Sequence, residues 1–190
     1  ASVTYAIVSK VVTNPTIEVS DAGTYDGSKK TPSVVVKDGD KEIPSTEYSV
    51  SYENNTDAGT ATVTITDVAG GNYDVSGSTT FTIGKSTITV TPTAGQKIIY
   101  GKADPVLKYS FSGAENSEVP AFTGALSRAE GKDAGKYDIT LGTLALEDNS
   151  AGSFKAANYE LKLVDTTVQF EIVPKTLTAA DLEFTTDDVF

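Results

Sequence analysis

The sequence predicts an all-β fold of two tandem β-sandwich modules, and three observations carry that expectation. Apolar and polar residues alternate with period two through both halves of the 190-residue chain, and no window places apolar residues at i, i+3, i+4 and i+7. Clusters of glycine, asparagine and aspartate interrupt the alternating runs, where tight connections demand positive φ angles. The same punctuation returns in the same order in the second half, which divides a chain long enough for one large domain into two small ones.

In the first half the pattern predicts strands at Ile17–Val19, Ser33–Lys37, Tyr48–Tyr52, Thr60–Thr66 and Thr79–Ile83. Thr60–Thr66 is the clearest, with Ala61, Val63 and Ile65 on one face and threonines on the other, as a half-buried strand requires. Threonine suits such a face because its branched Cβ fits a pleated surface. Asp38-Gly39 and Gly70-Gly71-Asn72 are the turns. In the second half a strand contains Ile88 and Val90, and four alternating sets follow: Leu107, Tyr109 and Phe111; Tyr137, Ile139 and Leu141; Tyr159, Leu161 and Leu163; Val168, Phe170 and Ile172. Each set is expected to supply one layer of core.

Asp57-Ala58-Gly59 corresponds to Asp133-Ala134-Gly135, Asn72-Tyr73 to Asn158-Tyr159, and Phe81-Thr82-Ile83 with Lys85 to Phe170-Glu171-Ile172 with Lys175. Tyr25 and Gly27 are echoed by Tyr100-Gly101. The offset grows from 75 or 76 to 86 and then to 89 or 90. An insertion of about ten residues between Gly142 and Ala157, among Glu147, Asp148, Asn149, Ser150, Gly152 and Ser153, accounts for most of that growth. The expected modules are residues 1–85 and 86–175, with 176–190, containing Leu177, Leu182 and Phe184, as the start of a following repeat or a C-terminal extension. A linker confined to Gly84–Ser86 is expected to hold the modules end to end.

The run Asp133-Ala134-Gly135-Lys136-Tyr137 has the Asp-x-Gly-x-Tyr form of a tyrosine corner, in which glycine turns the chain and the tyrosine packs inward with its hydroxyl returned to backbone. This makes the sandwich Ig-like. An antibody-type domain would carry cysteine where Ile139 stands, and a core tryptophan that this chain lacks. The alternative is a β-grasp-like module with one short helix near Ser127–Glu130.

Composition removes most catalytic chemistry. His, Cys, Met and Trp are absent, so there is no imidazole base, no thiolate nucleophile, no Cys/His zinc site and no disulfide scaffold. The remaining acid/base candidates, Glu115, Glu118, Glu130, Asp133, Glu147 and Asp148, read as solvated surface, because a glycoside hydrolase needs two carboxyls facing across an aromatic-lined cleft. Asp38, Asp40 and Glu42 alternate about Gly39 but lack the spacing of a calcium loop. Lys85 and Lys175 recur beside Asn72 and Asn158, the residue types of a lysine–asparagine cross-link, yet a linker lysine and a turn asparagine explain the recurrence. No catalytic residue, metal site or cofactor is therefore nominated, and the ligand-binding residues stay unassigned. The net charge of −11 opposes nucleic acid. No stretch approaches the roughly 18–20 apolar residues of a membrane span, and the segment from Ala1 lacks a signal-peptide pattern, so the chain reads as a soluble piece of a longer protein.

From Ile88 to Val173 the order Tyr100-Gly101-Lys102, Asp104-Pro105, Leu107, Tyr109, Phe122, Gly124, Leu126, Arg128, Gly131, Asp133-Ala134-Gly135, Tyr137, Ile139, Gly142-Thr143-Leu144, Asn158-Tyr159, Phe170 and Ile172 resembles the MBG domain of YGX type. The first module, with Tyr25-Asp26-Gly27, Tyr48–Tyr52, Asn54-Asn55, Ala58-Gly59-Thr60-Ala61 and Asn72-Tyr73, is similar to shorter Ig-like repeats of Gram-positive surface proteins. The resemblance implies tandem modules of adhesin-like, mucin-binding-named surface proteins, secreted or associated with the cell wall, non-enzymatic and without catalytic residues to carry over. The leading expectation is an extended spacer or stalk, and the alternatives are a module binding host glycan or mucin glycoprotein and an accessory of a large secreted enzyme. For the binding alternative, the loop from Gly142 to Ala157 with Phe154 near its tip is the place expected to recognise ligand, since loops on rigid sandwiches carry recognition. Neighbouring repeats of the same chain are the other expected partners of a monomer.

Overall fold

The computed structural model describes residues 6–164 and 167–178. Strands dominate, and the helical residues among those described are two single 3-10 turns, Ser45–Glu47 and Ala156–Asn158. The chain resolves into two compact units. Unit 1 holds residues 1–87 together with 114–119 and 149–160, and unit 2 holds 88–113, 120–148 and 161–190. Two stretches that the sequence assigns to the 86–175 module therefore group with unit 1.

Unit 1 contains β1 (Lys10–Val12), β2 (Thr16–Val19), β3 (Val34–Asp38), β4 (Lys41–Glu42), β5 (Tyr48–Glu53), β6 (Gly59–Asp67) and β7 (Tyr73–Ile83). One sheet runs β1-β7-β6-β5 and the other β2-β3-β4. Alternation is realised on β6, where Ala61, Val63 and Ile65 are buried and the threonines between them are not. Each fully buried valine or isoleucine of this kind contributes about 1.5–3 kcal/mol. Val36 of the second sheet packs in one cluster with Ile65, Val75, Val12, Ile43 and Tyr48, so the core lies between the sheets. Gly39 (φ +61°) and Gly70 (φ +81°) adopt the left-handed turns expected of them.

The remaining strands are β8 (Ser86–Pro92), β9 (Lys97–Ile99), β10 (Tyr109–Ser112), β11 (Ala121–Thr123), β12 (Ser127–Arg128), β13 (Gly135–Thr140), β14 (Ala145–Glu147), β15 (Tyr159–Leu163) and β16 (Gln169–Val173). They form sheets β10-β8-β15, β12-β13-β16-β9 and β11-β14. Val90, Leu107, Leu126, Ile139, Leu144, Phe170 and Ile172 make the core of unit 2. The tyrosine corner is present: the Tyr137 hydroxyl donates to the Asp133 carbonyl at 2.7 Å. Its glycine is not the one expected. Gly135 already opens β13, and it is Gly131 (φ +153°) that must lack a Cβ, which would lie 2.1 Å from the Tyr137 ring. Arg128 stacks over Tyr137 with 4.7 Å to the ring centroid and holds Asp104 through two nitrogens.

Three expectations need correction or limits. Ser127–Arg128 pairs with Thr140–Ile139 as strand β12, so the short helix proposed there does not form, because the backbone groups find sheet partners. Phe111 is 46 % exposed and does not join the core layer of Leu107; its ring lies 4.9 Å from that of Phe122. Leu182 and Phe184 of the expected third repeat lie outside the described residues.

Candidate functional site

A polar constellation lies inside unit 1, where segments 114–119 and 149–160 meet Tyr25, Asp57 and Ala58. Tyr25 reaches this place because Thr24 bridges Gly84 in parallel and the Tyr25 amide donates to the Gly84 carbonyl at 2.8 Å. Tyr159 reaches it at the start of β15, directly after the 3-10 turn. The rings meet edge to face at 5.4 Å, and Phe154 stacks on Tyr159 at 4.9 Å. Glu118 caps the pair: it accepts the Tyr25 hydroxyl at 2.5 Å on one oxygen and the Tyr159 hydroxyl at 2.9 Å on the other. The Tyr159 oxygen accepts in turn from the Glu115 amide at 3.1 Å, and Ser86 donates to the Glu115 carboxylate at 2.9 Å.

A second cluster adjoins it. Asp57 accepts from Lys155 Nζ at 2.6 Å and from Asn158 Nδ2 at 3.0 Å, while Asn158 Oδ1 accepts the Ala58 amide at 2.9 Å. Gly27 (φ +76°) leaves room for Asn116, whose amide nitrogen would lie 1.8 Å from a Cβ placed there. The loop 149–155 is folded on itself by Asn149, which accepts the Ser153 and Phe154 amides and donates to the Val119 carbonyl.

Burial sets the electrostatics. Loss of water, reinforced by the Glu118 carboxylate, raises the Tyr25 hydroxyl far above the ordinary tyrosine range. Burial likewise pushes Tyr159 up to about 12, with the Glu115 amide opposing and Glu118 adding to the rise. Lys155, then Asn158, holds the Asp57 carboxyl below its usual value. Two protonated phenols donating to one carboxylate form a staple.

The sequence-read candidates distribute as follows. Glu118, read as solvated surface, is instead a partly buried acceptor of two phenols. Phe154, read as a loop-tip contact residue, is fully buried. Asn72 is engaged by Glu47 through its amide and side chain, and Asn158 by Asp57 and Ala58. Asp57 does bridge a lysine and an asparagine, but the Lys155 and Asp57 side chains are 55 % and 49 % exposed, whereas a cross-linking condensation needs a desolvated site. Asp38 pairs with Lys10, and Glu42 lies opposite Lys37 across the β3–β4 ladder. Among the described residues no three acidic side chains converge as a metal site would require. The Tyr25–Glu118–Tyr159 staple escaped the sequence because only its tyrosines stand in recurring motifs; Glu118 carries no local signal.

Residues 88–169 match the family model described as MBG domain (YGX type). No curated protein and no solved structure matches the chain.

Proposed function

We propose that the chain is a spacer segment of a bacterial surface protein, a reading supported by the match of residues 88–169 to the MBG domain (YGX type), a surface-protein type of module. The observation that supports this reading is how the two loops 114–119 and 149–160 are used. Loops on a sandwich are the usual carriers of recognition, and a binding module presents their aromatic and polar groups outward. Here Phe154 is 0 % exposed, Asn158 is 1 % exposed, and Glu118 is occupied by two phenols. Phe154, Glu118 and Asn158 are engaged in holding unit 1 together instead of facing solvent, which supports a structural repeat over a receptor.

A second reading, glycan binding, draws support from one surface feature. Tyr109, Phe122 and Phe111 cluster on unit 2 with ring centroids 5.7 and 4.9 Å apart, and Phe111 remains 46 % exposed. An exposed aromatic face can stack a sugar ring. Applying the 190-residue chain to a glycan array and to immobilised mucin separates the two. The spacer reading expects no saturable binding; saturable binding that Phe111→Ala abolishes would replace it with the second.

A further inference from the structure

The two halves of the chain carry the same seat, with its tyrosine buried in one and half-exposed in the other. Tyr25 and Thr24 match Tyr100 and Ile99 in strand register: Thr24 bridges Gly84 in parallel as Ile99 pairs with Val173 in parallel. The Tyr25 amide donates to Gly84 and the Tyr100 amide to Val173, both at 2.8 Å. Asp57-Ala58-Gly59 likewise matches Asp133-Ala134-Gly135, because Gly59 stands opposite Ile83 and Gly135 opposite Ile172. In unit 1 this seat is filled by segments 114–119 and 149–160, through Glu118 on Tyr25 and Asn158 on Asp57 and Ala58. Tyr25 is 6 % exposed there.

In unit 2 the corresponding tyrosine faces solvent. Tyr100 is 48 % exposed, Ile99 is 50 % exposed, and Asp133 and Ala134 are exposed. A cavity of about 320 Å³ opens beside them, lined by Ile98, Ile99, Tyr100, Lys102, Lys132 and Ile172 among others. Its two lysines form a basic rim on a chain of net charge −11, complementary to a loop that carries two glutamates, as 114–119 does. Thr176-Leu177-Thr178 also repeats Thr87-Ile88-Thr89, and Leu177 is 63 % exposed where its counterpart Ile88 is fully buried.

We infer that the Ile99–Tyr100 and Asp133–Ala134 surface of unit 2 is the docking seat for a further MBG module joined after the second one in the same chain. That module's counterpart of Glu118 accepts the Tyr100 hydroxyl. Its counterpart of Asn158 donates to Asp133 and accepts from the Ala134 amide, and Leu177 enters its first core strand. The inference rests on the internal equivalence and stands whether or not the chain binds glycan.

The test is a chain in which a second copy of residues 88–175 follows directly after Thr176, with Tyr100→Phe in the appended copy so that only the first copy's Tyr100 is read, compared with the unextended chain by tyrosine nitration and mass spectrometry. Tyr25 should be protected in both. Tyr100 should react readily in the unextended chain and at least about tenfold more slowly in the extended one, as expected when a half-exposed phenol becomes buried. Glu118→Gln in the appended copy should restore Tyr100 reactivity, and the same substitution in the first copy should release Tyr25 instead. Equal Tyr100 reactivity in the two chains overturns the inference. So does a Tyr100 already protected in the unextended chain, or an appended copy whose strand amides exchange as fast as unfolded chain.

Discussion

Replacing Tyr25 by phenylalanine isolates one hydroxyl of the staple. The ring keeps its edge-to-face contact with Tyr159, so the loss is the bond to Glu118 from a residue 6 % exposed. A hydrogen bond to a charged group contributes about 1.5–3 kcal/mol, and removing the hydroxyl leaves that carboxylate oxygen partly desolvated. Tyr25→Phe is therefore expected to destabilise by about 2 kcal/mol. Glu118→Gln should cost more, because it weakens the acceptor of two phenols at once. The two substitutions combined should cost clearly less than their sum, with a coupling of about 1.5 kcal/mol, since the shared bond can be lost only once. Urea unfolding followed by tyrosine fluorescence measures all four corners, and agreement with circular dichroism checks that one transition is being followed. Tyr100→Phe is the control and should change stability by less than about 0.5 kcal/mol, as surface substitutions do. A coupling below about 0.3 kcal/mol would refute the staple, for the two groups would then be acting as independent surface residues.

Stability should also fall at alkaline pH. Tyr25 and Tyr159 are both raised in the folded state, so the folded chain keeps protons that the unfolded chain releases; the stabilisation is complete below about pH 10 and is lost as pH rises through about 12, the Tyr159 value. Phenolate absorbance should report these two rising together with loss of β-structure, and their titration at the ordinary value with the fold intact would contradict the burial. Gly124→Ala should be far costlier than Gly39→Ala, measured by thermal melting. Both sites are left-handed, at about 1–2 kcal/mol for an L side chain, but at Gly124 the new Cβ would also lie 2.1 Å from the Thr143 carbonyl oxygen, while at Gly39 nothing lies within 4 Å. Phe154→Ala should destabilise by about 3–5 kcal/mol in the urea assay, the range for a buried phenylalanine, whereas a solvent-facing loop residue would leave the midpoint unchanged.

The period-two alternation and the turn glycines were legible because they are local. A strand exposes every second residue to the core, so Ala61, Val63 and Ile65 announce β6 without reference to any partner. Gly39 and Gly70 announce their turns for the same reason, since only glycine enters the left-handed region freely. The corner at Tyr137 was legible too, its hydroxyl returning only four residues upstream. Short strands such as β1 and β9 were not, because three residues carry too little pattern to stand out, and both are held by parallel pairing with distant strands.

The staple belongs to tertiary structure alone. Tyr25 and Glu118 lie 93 residues apart, and Asp57 and Asn158 lie 101 apart. A glutamate in a loop is by composition a surface residue, and nothing in its neighbours along the chain says that two phenols will converge on it. Period and turn chemistry thus determined the all-β fold. Which loop is buried, which carboxylate is occupied and which of two equivalent tyrosines remains exposed were decided only when distant segments closed on one another, because desolvation and hydrogen bonding act through space and leave no trace in local periodicity.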